Sequence, residues 1–576
     1  MRHPLRLVLP LVAALLLLSI GHGLPNRYVP DDHAVRCALG IARDLGNPDL
    51  PRLTALVPPS GTYTTYPYLL PYLNLGAIGV SYVAGRATGR WHGAGEFAEY
   101  VFDDPGVAWL PARLVVALLT LLLPLAVYRA ARELSRSRHE AALAALLAGT
   151  SLLVVQFAHT SRPWAPMVAL GAVCFAASLR LRRRRRLRDV TLAAVFAALS
   201  TSTHPVGALF FALPVMALVS WRPPSRAAWA GLLAAPALAL LVGFPYLLVY
   251  RADTGKGAIA GQLETGENVA MIGGQAFDLT RFGAERLVVT TRAWVGYDPV
   301  LVLLGLVGLV ALARRTRGRG ALLAVAPPLV VSALFLAYDG THVRYLMPAV
   351  PFLAISAAGV LVGIARGPGR ITACLAVLAL AVPVVQAARL DLLLGREDTR
   401  TLAAREIASL TSAGDVLAVD GYGPPLKPSA ASVDALVEQV WISRAEQRVM
   451  DFAAAGVPEA DFVRALLPIG RFWKYDSYYA TDYLLGARVL ELGAFMQAWK
   501  VTHYVQVDRI PDEERRAPVT AWTRANAELI YELSPMTGSP PSEAALPTDM
   551  GFPLTQLWAY ERPGPWIRVW RVGNAR

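Results

Sequence analysis

The sequence predicts a polytopic α-helical membrane protein of about eleven transmembrane helices, with a small α/β domain at its C-terminal end. Three observations carry this reading. Of 576 residues, 55% are hydrophobic and 17% charged, and the mean hydropathy is +0.42, whereas soluble domains carry about a quarter charged residues. Apolar segments recur along the first two thirds of the chain at lengths near the ~20 residues that cross a bilayer. Dense arginine runs punctuate them. Disorder is excluded, because ample apolar surface is available to offset chain entropy.

The segments fall at about 5–24, 113–130, 141–158, 164–180, 190–205, 206–220, 228–250, 294–313, 320–338, 346–365 and 371–390. With Arg2 and Arg6 in the cytoplasm, eleven crossings put every dense run on that side: Arg129/Arg132/Arg136/Arg138, Arg180–Arg188, Arg222/Arg226, Arg314–Arg319 and Arg366/Arg370. That is the positive-inside pattern. Residues 66–88 are apolar enough to span, but a further crossing would reverse the side of all later runs. Their tyrosines Tyr66, Tyr68, Tyr72 and Tyr82 favour a helix lying at the interface. No A-x-A-like site follows residues 5–24, so a retained anchor is read there rather than a cleaved signal peptide.

The net charge of +13 is almost all arginine, since the chain has only four lysines (Lys256, Lys427, Lys474 and Lys500). Clustered between apolar segments, it reads as topology and not as a nucleic-acid footprint. Cys37, Cys174 and Cys374 are widely separated and form neither a disulfide framework nor a zinc spacing.

This topology places residues 25–112, 251–293 and 391–576 outside the cytoplasm. The tail combines strand-like pieces at 415–420 (DVLAVD), 503–508 (HYVQVD) and 567–572 (IRVWRV) with helical patterns near 431–455 and 459–468, an α/β alternation. Its stretch 471–483 (RFWKYDSYYATDY) has the aromatic faces and polar tips that suit carbohydrate or acceptor contact, or packing within the domain. No Asp, Glu, Lys or Arg falls near the middle of a proposed span, and no internal repeat is visible. Both features weigh against a pump or coupled transporter.

The charged and histidine residues collect at the extracytoplasmic ends of the spans. Asp31 and Asp32 follow the first one. Paired carboxylates can supply a general base of tuned pKa, and either can instead be the N-cap of the helical pattern that follows. His159 and Arg162 occupy the short loop before residue 164. They could orient a hydroxyl or meet an anion, although Arg162 could also snorkel and Trp164 belong to an aromatic belt. His204 marks the next such turn. His342 and Arg344 lie between 338 and 346, and Arg251 and Lys256 follow residue 250. Guanidinium binds phosphate bidentately, and plain interfacial anchoring is the alternative.

Four places, in this order, resemble the polyprenyl-phosphate-sugar-dependent glycosyltransferases of the GT-C fold, in the protein mannosyltransferase and aminoarabinose transferase group. Residues 30–38 (PDDHAVRCA) are similar to that family's acidic motif, 66–73 (YPYLLPYL) to its proline-aromatic interfacial helix, 113–140 to its second span, and 344–351 (RYLMPAVP) to its Arg-Tyr-Leu-x-Pro segment. The similarity covers about 1–390.

The resemblance implies a GT-C-like transmembrane domain over 1–390 and an extracytoplasmic α/β domain over 391–576. It implies a cell-membrane enzyme that moves a sugar from a polyprenyl phosphate to a protein, lipid or glycan acceptor, with inversion. Asp31 or Asp32 would be the base. Arg344, Arg251 and Lys256 would contact the donor phosphate, and His159, Arg162, Tyr66 and His342 the substrates. Cations, or a divalent metal in some relatives, would stabilise the leaving phosphate. Many relatives carry a further acidic residue before the fourth span, and 159–166 contains none, which leaves metal binding open. The other readings are a lipid-linked-sugar flippase and a noncatalytic member of the fold that binds envelope polymers or partner proteins.

Overall fold

The computed structural model describes residues 4–26, 32–58, 66–135, 137–219, 225–250, 269–272, 275–315, 319–338, 342–367, 370–412, 415–419, 423–424, 426, 463–465, 496–497, 500–508, 521–538 and 553–573. Its helices begin with α1 (Leu5–Leu17), α2 (Asp32–Gly46), α3 (Arg52–Leu56), α4 (Leu69–Ala87) and α5 (Ala94–Asp103). There follow α6 (Gly106–Thr120), α7 (Leu122–Leu134), α8 (Arg138–Gly149), α9 (Leu152–Ala158), α10 (Trp164–Arg184), α11 (Leu187–Thr203), α12 (Ala212–Val219), α13 (Arg226–Gly243) and α14 (Tyr246–Val249). A hairpin of β1 (Val269–Ile272) and β2 (Gln275–Asp278) precedes α15 (Ala284–Tyr297), α16 (Pro299–Arg315), α17 (Arg319–Leu336), α18 (Val350–Ala365) and α19 (Arg370–Leu394).

Each expected apolar segment falls on a helix or helix pair. By length and composition, however, five helices are candidate spans, or seven if each of two bent pairs counts once. Leu5–Leu17, Pro205–Val219 and Leu322–Leu336 are apolar but shorter. Eleven crossings therefore stay a reading of the sequence. The bends have visible causes. At the break between α8 and α9, Ser151 starts a new helix by accepting from Val154 N, and Asp298 takes hydrogen bonds from Ser151 Oγ (2.7 Å) and Leu152 N (2.7 Å). A carboxylate thus does reach the middle of the segment 141–158, delivered from the sharp α15–α16 corner, where it satisfies helix-start N–H groups.

The bundle has two chemically distinct ends. Arg183 pairs with Glu133 of α7 (2.9 Å) and Arg180 with Asp189 of α11 (3.4 Å), which holds the basic termini of α7 and α10 together. α10 begins and α11 finishes at the opposite end. Close helix packing depends on small residues: a Cβ on Gly305 would sit 2.8 Å from Leu353, and one on Gly308 would overlap the Ser356 carbonyl, so α16 lies tightly on α18.

At the C-terminal end, α20 (Thr399–Leu410) covers a mixed sheet of β3 (Val416–Val419), β4 (Val463–Ala465), β5 (His503–Asp508), β6 (Ala527–Leu533) and β7 (Trp566–Val572), in the order β4-β3-β5-β7-β6. β3 runs parallel to β4 and β5, while β7 is antiparallel to β5 and β6. All three strand-like pieces read from the sequence are strands. The helical pattern near 459–468 is corrected: Val463–Ala465 is a strand, because pairing with β3 outweighs a short local periodicity. The pattern at 431–455 and the aromatic stretch 471–483 lie outside the described residues. A short helix α21 (Leu554–Ala559) places Leu557 and Tyr560 in the hydrophobic core of the bundle, and Arg389 of α19 donates to the Tyr560 carbonyl (2.5 Å).

Candidate active site

Five separate stretches of chain meet at the end of the bundle opposite the arginine runs. His33 in the first turn of α2 lies 5.3 Å from Tyr66, ring centre to ring centre, and Tyr66 lies 5.5 Å from His204. His204 stands 4.0 Å from Trp164, and Trp164 stands 5.0 Å from Tyr345. The Arg344 guanidinium is 5.7 Å from the Trp164 ring and 5.4 Å from that of Tyr345, within reach of cation–π attraction. His342 closes the row, 5.8 Å from Tyr345. A narrow cleft beside it is lined by His33, Tyr66, Pro67, Ser161, Arg162 and Thr203.

Local sequence explains the placement. Pro205 cannot continue α11, so the chain turns at His204, whose Nδ1 accepts from Val206 N (3.2 Å) and caps a 3₁₀ turn over Pro205–Phe211. That contact puts the imidazole proton on Nε2. Pro163 precedes α10 and lets Trp164 lead it. Arg344 and Tyr345 sit in a 3₁₀ turn over Val343–Ala349 that leads directly into α18.

The electrostatics are uniform in sign. Burial, followed by the charges of Arg162 and Arg36, pushes His33 down to about 2. The His33 imidazole is neutral at pH 7 and can both donate and accept a hydrogen bond. Burial disfavours a charge of either sign there, and it is the Arg162 and Arg36 charges that would attract an anion.

A second polar cluster lies deeper. Arg113, fully buried in α6, donates to the carbonyls of Ile20 (3.0 Å) and His22 (2.7 Å). His159 Nε2 lies 2.6 Å from the Leu18 carbonyl and 3.0 Å from Asp391, and its Nδ1 lies 2.7 Å from the Val155 carbonyl. Ser19 Oγ donates to the Asp391 carbonyl (2.8 Å). The turn leaving α1 is thereby held by α6, α9 and α19 at once.

Of the residues expected at the site, the structure brings Tyr66, Arg162, His342 and Arg344 together. It takes His159 elsewhere: the side chain has no exposed surface, and its ring nitrogens face protein groups. Asp32 is the first residue of α2, and its side chain lies outside the described residues, as do Asp31, Arg251 and Lys256. Sequence reasoning missed His33, Trp164 and Tyr345 as site residues and gave His204 little weight. The adjacency of His33 to the acidic pair was the available signal. Among the described residues, no three His, Cys, Asp or Glu side chains group as metal ligands.

The fold is that of a polytopic α-helical membrane protein with an appended mixed sheet, and the candidate site is an aromatic row carrying cations. Residues 99–248, about a quarter of the chain, match the family model described as dolichyl-phosphate-mannose-protein mannosyltransferase, in keeping with the GT-C-type resemblance. Among solved structures, the chain is similar to ArnT from Cupriavidus metallidurans bound to undecaprenyl phosphate, at 14% identity and a TM-score of 0.45, over 99% of this chain and 98% of that one. It is also similar to the oligosaccharyltransferase of Archaeoglobus fulgidus, at 12% identity and a TM-score of 0.45, over 95% and 75%. Likeness at this level leaves the chemistry to the residues of this chain. No curated protein matches it.

Proposed function

We propose that this protein is a membrane glycosyltransferase that moves one sugar from a polyprenyl-phosphate donor to an extracytoplasmic acceptor, with inversion. The observation that carries the reading is a single row in which Arg162 and Tyr66 meet His33, the residue that follows the acidic pair, and Arg344 meets Trp164 beside His204. The family match over 99–248 supports the donor class. By the positive-inside pattern, the arginine end is cytoplasmic and the cleft opens on the other side. The transmembrane part corresponds to 1–390, and the sheet domain, over 391–576, shares that extracytoplasmic side.

Asp31 or Asp32 takes the proton of the acceptor hydroxyl. The oxygen then attacks the anomeric carbon from the face opposite the phosphate. The bond from that carbon to the phosphate oxygen breaks, and polyprenyl phosphate leaves with the electron pair. Arg344 and Arg162, joined by Arg251 and Lys256, stabilise the charge developing on the leaving group. Neutral His33, together with His342 and Tyr66, supplies hydrogen bonds and ring faces to the sugar and acceptor. His159 acts only by holding the turn after α1.

The test compares envelope glycan masses in a deletion strain complemented with wild type, Asp31→Asn or Asp32→Asn, each verified as expressed. A missing sugar mass restored by wild type and not by one carboxamide variant supports the assignment. Full restoration by both variants removes the carboxylate base, and a transport role becomes the better account.

A further inference from the structure

One short stretch of backbone near the cleft is held by side chains instead of by secondary structure. α3 is five residues long and stops at Leu56. Pro58 and Pro59 lack the N–H that would carry the helix on, and Pro58 also restricts Val57 before it. Carbonyls at the end of a helix need donors from elsewhere. Here three successive ones each accept from a different tyrosine: Leu56 from Tyr72 (3.1 Å), Val57 from Tyr250 (2.8 Å) and Pro58 from Tyr68 (3.0 Å). Val57 and Pro58 are buried, so an unmet carbonyl there would be costly.

The rings of this clamp form a cluster of their own. Tyr68 is fully buried and lies 5.7 Å from Tyr72 and 5.9 Å from Tyr246, ring centre to ring centre. Cys37 and Ile41 of α2 pack into the same cluster with Val57.

Both neighbours of Tyr66 in the cleft are tied to the clamp. His33 stands one turn before Cys37 on α2, so the packing of Cys37 and Ile41 fixes the helix that carries it. On the other side, Tyr68 N donates to the Gly243 carbonyl (2.9 Å). Gly243 lies against α11, where a Cβ would stand 2.6 Å from the Cα of Ser202, two residues before His204. Tyr66 is joined to Tyr68 through Pro67, whose ring leaves that link little freedom.

We infer that Tyr68, Tyr72 and Tyr250 are positioning residues of the cleft: their hydroxyls, by gripping residues 56–58, set the Tyr66 ring between His33 and His204. They act through Tyr66 and not on the reacting atoms. The inference rests on the glycosyltransferase reading for what Tyr66 does to substrate, and on the clamp alone for where its ring stands. Hydroxyls suit this task because a hydrogen bond fixes distance and direction, whereas apolar contact is non-directional.

The test uses the full chain in detergent with 3-fluorotyrosine at position 66, observed by fluorine NMR. Tyr68→Phe and Tyr250→Phe keep the packed ring and remove only the hydroxyl. Each is expected to shift and broaden the fluorine resonance, whereas Gly564→Ala, a strained change at a positive-φ glycine of the tail, leaves it in place. In the deletion strain, the sugar mass is expected to return about tenfold more slowly after induced expression of either Phe variant at wild-type protein level, the cost of a displacement of a fraction of an ångström. Tyr72→Phe, whose partner Leu56 is exposed, has the smaller effect on both readouts.

A resonance of wild-type position and width in both Phe variants overturns the inference, whatever their melting temperatures. So does a resonance that Gly564→Ala moves equally, because it then follows overall stability. A moved resonance with an unchanged rate of sugar return also overturns it, since the ring position then does not serve the reaction. A moved resonance in a chain whose wild type returns no sugar overturns the enzyme reading and leaves the clamp standing.

Discussion

His159 lies 3.0 Å from a carboxylate oxygen of Asp391, and neither side chain is open to solvent. The pair joins the loop before α10 to the end of α19, and Ser19 and Leu18 of the first turn are bound to the same two residues. Removal of one partner leaves a buried polar group unmatched, at a cost of about 1–3 kcal/mol. Asp391→Ala is expected to lower the apparent unfolding temperature in detergent, and Asp391→Asn, which still accepts a hydrogen bond, to lower it less. Equal melting of both variants and wild type would show that the contact contributes nothing.

Arg113 should affect activity more than its distance from the cleft implies. It holds the carbonyls of Ile20 and His22, in the turn that leads to the proposed base. A shift of about 1 Å at a reacting group costs on the order of 100-fold in rate. Arg113→Lys, which keeps the charge and loses the planar fork, is expected to reduce kcat well beyond any change in KM. An unchanged kcat with a lowered melting temperature would make Arg113 purely structural.

Neutral His33 gives a signed pH dependence. In the unfolded chain it titrates near 6.5, whereas in the fold it is held at about 2. Between these limits the unfolded state binds more protons, so stability falls as pH drops below 6.5 and is level above it, with respect to this group. The loss is at most about 1.4 kcal/mol per pH unit. His33→Gln should flatten apparent melting temperature against pH between 4 and 6.5. A variant with the wild-type slope would mean that His33 titrates normally.

The packing of the start of α20 against the chain leading into β7 turns on Gly564. Its φ is +112°, and a Cβ there would overlap the Thr399 hydroxyl, which donates to the Pro565 carbonyl (2.7 Å). Gly564→Ala therefore combines backbone strain with a lost contact and is expected to cost about 1–3 kcal/mol. Limited proteolysis should release the C-terminal segment faster than from wild type. An unchanged cleavage rate would show that the strand docks by other means.

Much of the fold was legible because its signals are local. Segment hydrophobicity marks where helices form, and alternating β-branched and apolar residues mark β3, β5 and β7. Val463–Ala465 was read wrongly because three residues carry no period, and its partner strand decides. The site was half legible. Tyr66, Arg162 and Arg344 could be picked out as polar or aromatic residues at segment ends. His159 carries the same signal and faces the interior, since sequence position does not reveal which way a loop histidine turns. His33 was overlooked in favour of its acidic neighbours.

By itself, the sequence determined the membrane class, the helical segments, the arginine end and the acidic motif, because each depends on composition or on neighbours a few residues apart. Only the tertiary structure decided that His33, Tyr66, His204, Trp164 and Arg344 form one row, that Arg113, His159 and Asp391 clamp a turn, and that Trp91 folds over Gly85. Trp91 and Gly85 apart, these contacts join residues tens to hundreds of positions apart. Their partners are chosen by which helix faces pack together, and packing is a property of the whole chain.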